Sequence, residues 1–250
     1  MTTAIYPSLA GKAVAVSGGG SGIGAKIVED FARQKSRVYF LDVAEDESRA
    51  LVDRLGGAAH FLKCDLTDLA ALKTAYATIE AQAGPVAVLV NNAANDDRHR
   101  FQDVTPAYWD QRIAVNLRHY FFGAQAVAPG MKRAGGGAIV NLGSISWHLA
   151  LPDLALYETA KAGIEGLTRA LARDLGADAI RVTCVIPGSV RTPRQTALWH
   201  TPEEETKMLE QQCLKVRIEP ADIAAMVLFL ASDDARLCTS HSYWVDAGNR

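Results

Sequence analysis

Seven short apolar runs recur along the chain, with helical stretches between them. They cover residues 13–16, 38–41, 60–63, 86–90, 138–142, 182–186 and 243–245. Most are apolar at consecutive positions, which is typical of parallel strands that helices cover on both faces. The pattern predicts an α/β doubly wound fold in a single domain, with a central parallel sheet of about seven strands.

Two stretches between the runs have patterns of their own. Ile23, Ile27 and Phe31 recur every fourth residue, which predicts a helix with one apolar stripe against the sheet. A polar stretch interrupted by proline, residues 191–210, follows the sixth run. We expect it to form a lid over the strand ends at the substrate site.

Composition narrows the possible partners. The 250 residues include 26 Lys and Arg against 28 Asp and Glu, so no basic field is available for nucleic acid or an anionic membrane. No apolar run reaches the roughly 18 residues of a membrane span, and the start of the chain has no signal-peptide pattern, so we expect a cytoplasmic protein. The four cysteines are scattered, which predicts neither a metal site nor disulfides.

Glycines follow the first predicted strand where the first helical pattern begins. Residues 17–24 are Ser-Gly-Gly-Gly-Ser-Gly-Ile-Gly. A pyrophosphate needs bare backbone N–H groups and a helix N-terminus, so the segment predicts a dinucleotide-binding turn typical of a Rossmann fold. The spacing of Gly18, Gly22 and Gly24 departs from G-x-G-x-x-G, and a tight turn without a ligand is the alternative.

Polar residues end the next three predicted strands. Asp42 can accept hydrogen bonds from ribose hydroxyls and would repel a 2'-phosphate, and no arginine follows it, so we predict NAD rather than NADP. Asp65 either bonds the adenine amino group or caps a helix. The amides of Asn91 and Asn92 either border the adenosine or anchor the loop backbone.

The chemistry is carried by Tyr157 and Lys161, which share one helix face at positions i and i+4. A lysine ammonium beside a phenol favours the phenolate, so we expect a lowered pKa that makes Tyr157 an acid/base. Ser144, at the end of the fifth strand, could steady the substrate oxygen or cap a helix. Asn116 could act in catalysis or bond a neighbouring carbonyl.

In their order along the chain, these features resemble the short-chain dehydrogenase/reductase family over nearly the whole length. The resemblance rests on the glycine turn, Asp65, the Asn-Asn-Ala of residues 91–93, Asn116, Ser144, Tyr157 with Lys161, and Pro187-Gly188. It implies that Asn116, Ser144, Tyr157 and Lys161 are catalytic, with Asn116 positioning a water in a proton relay. It also implies a homo-oligomer, with a tetramer favoured.

The same resemblance implies an NAD site. Its residues are Gly18, Ser21, Gly22, Ile23, Gly24, Asp42, Asp65, Leu66, Asn92, Ala93, Tyr157, Lys161, Pro187, Gly188, Val190 and Thr192. Two positions depart from the family pattern, because Ser17 replaces a threonine and Ala94 replaces a glycine. Serine keeps the hydroxyl, and alanine requires only that the backbone avoid positive φ, so we expect neither change to prevent cofactor binding.

Segments where family members diverge, residues 95–99, 146–148, 157–158 and 243–248, are similar to those of the family's sugar dehydrogenases. The similarity implies oxidation of an aldopentose, D-xylose first, at C1 to the aldonolactone. Trp147 would face the sugar's C–H groups, and the predicted substrate ligands are Asn95, Ser144, Ser146, His148, Tyr157 and Glu158. The alternatives are L-arabinose or another aldose, a 3-oxoacyl or other carbonyl reductase, and a non-catalytic dinucleotide-binding protein.

Overall fold

Residues 4–249 are described by a computed structural model, and they contain one parallel sheet of seven strands. The strands are β1 Ala13–Ser17, β2 Arg37–Asp42, β3 Ala59–Lys63, β4 Val88–Asn91, β5 Gly137–Leu142, β6 Ile180–Pro187 and β7 Ser242–Val245. Their order across the sheet is β3-β2-β1-β4-β5-β6-β7. The doubly wound prediction is therefore confirmed, and all seven apolar runs are strands, the fourth beginning at Val88 rather than at residue 86.

Helices cover both faces of the sheet. They are α1 Gly22–Arg33, α2 Glu45–Arg54, α3 Leu69–Ala83, α4 Pro106–Ile113, α5 His119–Arg133, α6 Ser146–Leu149, α7 Ala155–Leu175, α8 Pro193–Leu198, α9 Pro202–Gln211 and α10 Pro220–Ala231. A π-helical turn, Ala114–Arg118, joins α4 to α5. None of the described helices is long and apolar enough to span a bilayer.

Several helices begin at sequence signals that fix their first residue. Thr105, Thr192 and Thr201 each accept a hydrogen bond at 3.2 Å from the backbone N–H three residues later. Each is followed by a proline, whose fixed φ suits the first helical position. These caps explain why residues 191–210, expected to be a lid, contain the two short helices α8 and α9.

Most of the core lies in two clusters, one on each face of the sheet, and a smaller third cluster surrounds Tyr120 and Ile164. In β1, Val14 and Val16 pack with Ile27 and Phe31 of α1, so the predicted stripe of α1 is confirmed. The alternate β1 residues pack on the opposite face with α3, α5 and α7. Burial on both faces accounts for strands without polar alternation.

Several loops meet at the point where the strand order changes direction. β1 lies between β2 and β4, so the chain crosses to opposite sides of the sheet after β1 and β4, and a crevice opens at their carboxyl ends. The two ends of the segment that contains α8 and α9 are held together. Val190 and Ile218 form a parallel bridge, and Arg191 N donates to Ile218 O at 2.8 Å. The segment that contains both helices therefore begins and ends beside this crevice.

Candidate active site

A cleft of about 920 Å³ lies at the carboxyl ends of β1, β4, β5 and β6. Its volume is within the range of pockets that hold small ligands. Every residue predicted to bind the cofactor lines this cleft, from the glycine turn at Gly18 to Thr192 after β6. The predicted cofactor-binding residues therefore line one surface, although up to 174 residues separate them along the chain.

The glycine turn is close-packed, and the backbone geometry requires glycine at several of its positions. Gly18 and Gly22 have φ of 67° and 54°, a conformation that side chains disfavour. A Cβ at Gly24 would lie 1.8 Å from the carbonyl oxygen of Gly18. Ser21 precedes α1 without capping it through its side chain, so backbone N–H groups at the start of α1 are left for a ligand.

Asn92 and Ser17 hold the turn in place. Asn92 Nδ2 donates to Ser17 O at 3.1 Å and to Gly18 O at 2.8 Å. The Ser17 hydroxyl accepts from the backbone N–H groups of Asn92 and Ala93, at 3.0 and 3.2 Å. The Asn92 amide therefore anchors the loop backbone, which was one of its two predicted roles, and serine supplies the hydroxyl in place of threonine.

Two carboxylates, Asp42 and Asp65, lie at the end of the cleft where we expect the adenosine. Asp42 accepts from Gly20 N at 2.8 Å and from Ala44 N at 3.0 Å, and no ion pair joins it to a basic side chain within residues 4–249. Asp65 accepts from the N–H and hydroxyl of Thr67. The expectation that Asp65 might cap a helix is wrong, because α3 is capped by Asp68, which lies one residue before its start.

Tyr157 and Lys161 occupy the first two turns of α7 and line the other end of the cleft. Lys161 Nζ donates to Leu142 O at 2.8 Å and lies 5.4 Å from the centre of the Tyr157 ring. Ser144 Oγ lies 2.9 Å from Ser146 Oγ, and the Ser144 hydroxyl also hydrogen-bonds Tyr157. The structure thus brings a hydroxyl, a phenol and an ammonium to one point.

The pKa of Tyr157 differs from the sequence-based expectation. Burial of the phenol, with a smaller contribution from the negative charge of Asp96, raises this pKa well above its ordinary value, and the hydrogen bond with Ser144 opposes the rise. The expected lowering by Lys161 is therefore wrong for this structure, because the phenol is enclosed and the ammonium is directed at the Leu142 carbonyl. Burial also lowers the pKa of Lys161, to about 8.

Asn116 is buried within the π-helical turn and is not among the residues that line the cleft. Its Oδ1 accepts from Asn95 N at 2.8 Å and its Nδ2 donates to Asn95 O at 3.0 Å. The side chain therefore fixes the backbone of Asn95 after β4, which is the neighbouring-carbonyl role among its predicted alternatives. π-Helical turns are frequent at functional sites.

The predicted substrate ligands divide into two groups. Asn95, Ser144, Ser146 and Tyr157 line the cleft, whereas His148 and Glu158 do not. His148 Nε2 lies 2.9 Å from Glu165 Oε1, which also accepts from the indole N–H of Trp147 at 2.7 Å. Glu158 accepts from Leu151 N at 2.8 Å. In this structure both side chains bond the protein's own elements, and their roles as substrate ligands stay predictions.

The structure adds cleft residues that the sequence analysis did not select, chiefly Asp96, Arg194, Gln195 and Trp199. Arg194 Nε donates to Asp96 Oδ1 at 3.1 Å, and Gln195 Nε2 donates to Asp96 Oδ2 at 2.6 Å. The guanidinium of Arg98 lies 5.0 Å from the centre of the Trp199 ring. Opposite charges in the loop after β4 and in residues 191–210 were the only sequence signal for these contacts.

Sugar dehydrogenases are among the known proteins that are similar to this chain in sequence. Residues 18–250 match the family model described as enoyl-(acyl carrier protein) reductase. The chain is 62% identical to the D-xylose 1-dehydrogenase of Caulobacter vibrioides over 253 residues, with both chains covered completely. It is 48% identical to a probable galactose dehydrogenase of Rhizobium meliloti over 247 residues, which are 97% of this chain and 96% of that protein.

Solved structures share the fold. A putative short-chain alcohol dehydrogenase from Sinorhizobium meliloti superposes with a TM-score of 0.90 at 32% identity, covering 97% of this chain and 98% of the other. A short-chain type dehydrogenase/reductase from Mycobacterium ulcerans gives a TM-score of 0.91 at 26% identity, covering 96% of this chain and 90% of the other.

Proposed function

Because the chain belongs to the short-chain dehydrogenase/reductase family, we propose that it oxidises an aldopentose, D-xylose first, at C1 to the aldonolactone with NAD. The observation that carries the proposal is the meeting of Ser144, Tyr157 and Lys161 at one end of a cleft whose other end is a glycine turn. The 62% identity to a D-xylose 1-dehydrogenase over the full length supports the sugar as substrate.

The cleft suits the nicotinamide dinucleotide that the family uses. The tight packing at Gly18 and Gly24 leaves bare backbone at the turn, and the start of α1 has no side-chain cap. Pro187, Gly188, Val190 and Thr192 line the wall beside the catalytic residues, where the nicotinamide would lie. When bound, the oxidised nicotinamide ring accepts the hydride that leaves C1 of the sugar.

In the proposed reaction, the catalytic side chains remove one proton from the sugar and hydrogen-bond the oxygen that carried it. Tyr157 Oη takes the proton from the anomeric hydroxyl, and Ser144 Oγ hydrogen-bonds the same oxygen. Burial opposes formation of the phenolate in the ligand-free structure. We propose that the Lys161 ammonium, 5.4 Å from the centre of the Tyr157 ring, favours the phenolate once substrate and cofactor are bound. The lone pair of the ring oxygen assists departure of the hydride. Asn116 would serve the predicted proton relay indirectly, by fixing the backbone of Asn95 with both of its amide atoms.

The preference for NAD over NADP rests on Asp42. Its carboxylate lies at the end of β2 within the cleft and is fixed by Gly20 and Ala44. It would accept hydrogen bonds from the adenosine ribose and repel a 2'-phosphate.

Initial rates across a substrate panel test the proposal. The panel contains D-xylose, L-arabinose, D-galactose and a 3-oxoacyl thioester, each with NAD or NADP in the appropriate redox state. We expect the highest kcat/KM for D-xylose with NAD. Activity on the thioester without activity on any aldose would replace the proposal by the carbonyl-reductase alternative, and binding of NAD without any turnover would favour the non-catalytic one.

We also propose a cytoplasmic homo-oligomer, with a tetramer favoured. A second concavity of about 400 Å³ lies between α5 and α7, and its wall is mainly apolar. Phe121, one of its residues, is 43% exposed in the single chain, and covering such a surface is favourable. Light scattering on the purified protein tests the state, and a monomer at micromolar concentration would contradict it.

A further inference from the structure

The carboxylate of Asp96 lies at the catalytic end of the cleft, in the loop after β4. It lines the cleft, and its negative charge acts on both Tyr157 and Lys161. Its side chain is 19% exposed, whereas that of the neighbouring Asp97 is 48% exposed and is not among the lining residues. Of these two adjacent carboxylates, only Asp96 faces the space where a substrate would meet the catalytic phenol.

Each carboxylate oxygen of Asp96 accepts one hydrogen bond from the protein, and each can accept another. Oδ1 accepts from Arg194 Nε and Oδ2 accepts from Gln195 Nε2. An ionised carboxylate offers about four acceptor positions, so one position on each oxygen is left over from these two bonds. The guanidinium of Arg194 orients the carboxylate through a charge-assisted hydrogen bond.

Several other polar groups near the catalytic end already have partners, whereas Trp199 Nε1 and His200 Nδ1 in the cleft wall have none among the described residues. Asn95 Oδ1 accepts from Asp97 N at 2.8 Å, both amide atoms of Asn116 bond Asn95, and the hydroxyls of Ser144 and Ser146 bond each other. The remaining carboxylates in the cleft wall are Asp42, Asp65 and Glu204. The first two belong to the adenosine end, and Glu204 is paired with Lys207 on an exposed helix.

From this arrangement we propose that Asp96 binds hydroxyl groups of the sugar, and that Arg194 and Gln195 are the positioning residues that hold its carboxylate for this role. A polyol carries several O–H donors, and a fixed carboxylate with two free acceptor positions is complementary to a pair of them. The inference rests on the proposed aldose oxidation. It makes Asp96 a specificity-determining residue and gives residues 191–210 a part in substrate recognition, through the two side chains that reach across the cleft.

The first test compares Asp96→Asn with Asp97→Asn. Both remove one negative charge from the same loop, and both alter a partner of Arg194. We expect Asp96→Asn to raise KM for D-xylose about 10- to 150-fold, the equivalent of 1.5–3 kcal/mol for hydrogen bonds to a charged group, while the Kd for NAD stays unchanged. Asp97→Asn should raise the KM no more than about fivefold, the equivalent of 1 kcal/mol, because Asp97 is half exposed and the amide oxygen of asparagine can still accept from Arg112 or Arg194.

The second test identifies the contact itself. Wild type and Asp96→Asn are compared on D-xylose and on analogues deoxygenated at C2, C3 or C4. If Asp96 binds a hydroxyl, the loss caused by Asp96→Asn shrinks for the analogue that lacks that hydroxyl, because the interaction is already absent. An equal loss for all four sugars, or an effect of Asp97→Asn as large as that of Asp96→Asn, would overturn the inference.

The third test concerns the positioning residue. Arg194→Ala should raise KM for D-xylose by a larger factor than it lowers kcat, and Arg194→Lys should recover part of the loss, since a lysine restores the charge without the planar fork. A lower kcat at unchanged KM would contradict this role. If wild type oxidises no aldose, the proposed function has failed; if it does and the Asp96 variants behave like the control, only this inference has failed.

Discussion

Replacing Lys161 by methionine should abolish turnover and also make the ligand-free protein more stable at neutral pH. The side chain is 2% exposed, and burial lowers its pKa from 10.5 to about 8. Folding therefore moves a lysine that holds its proton tightly into a place where the charged form is disfavoured. Methionine fills similar space without a charge.

The magnitude follows from the two pKa values. At about 1.36 kcal/mol for each factor of ten, the difference between 10.5 and 8 destabilises the folded wild type by about 3 kcal/mol wherever Lys161 is protonated in both states. Between pH 8 and 10.5 the unfolded chain binds more protons than the folded chain, so the wild type gains stability as the pH rises through this window. Leu142 O loses one donor in the variant but keeps Tyr120 Oη, at 3.1 Å.

Thermal unfolding of the ligand-free proteins at pH 7 and pH 9.5 measures the effect. We expect the variant to unfold roughly 6–12 °C higher at pH 7, at 2–4 °C per kcal/mol for a chain of this size. Its advantage should fall to about 1.4 kcal/mol at pH 9.5. Lys73→Met, at an exposed position of α3, should change stability by less than about 0.5 kcal/mol. A variant less stable than wild type at pH 7, or equally favoured at both pH values, would refute the reasoning.

Three further substitutions test the site. Tyr157→Phe should remove nearly all turnover while leaving the Kd for NAD largely unchanged, and substantial residual kcat would exclude Tyr157 as the acid/base. Asp42→Ala should narrow the ratio of kcat/KM for NAD over NADP, and an unchanged ratio would show that another group sets it. Gly24→Ala should abolish NAD binding, because its Cβ would overlap the Gly18 carbonyl, whereas Gly166→Ala, with open space around its Cβ, should bind NAD normally.

The sheet and the dinucleotide turn were predictable because each leaves a local trace in the sequence. A strand covered on both faces must be apolar at consecutive positions, and every predicted run is a strand of the sheet. The turn requires glycine where φ is positive or where a Cβ would overlap backbone, as at Gly18 and Gly24. Such constraints act on neighbouring residues, so the sequence alone shows them.

Side-chain direction in short loops leaves no such trace. Ser146, Trp147 and His148 lie within the four residues of α6, too few for a period, and only Ser146 faces the cleft while the other two bond Glu165 of α7. The pKa of Tyr157 was mispredicted for a related reason. The spacing to Lys161 along the helix is local, but the burial that dominates this pKa comes from residues distant in the sequence.

Asp96 acts on the two catalytic groups with opposite consequences. Its negative charge raises the pKa of Tyr157, which opposes formation of the base, and it also raises the pKa of Lys161, which favours the ammonium that the base needs. A negative charge near the phenol opposes ionisation of Tyr157 less when a cation or hydrogen-bond donors offset that charge. Arg194 and Gln195 provide both, and both come from residues 191–210. Residues 191–210 therefore contribute to the charge balance at the catalytic end as well as to the cleft wall, since they supply both side chains that hold Asp96.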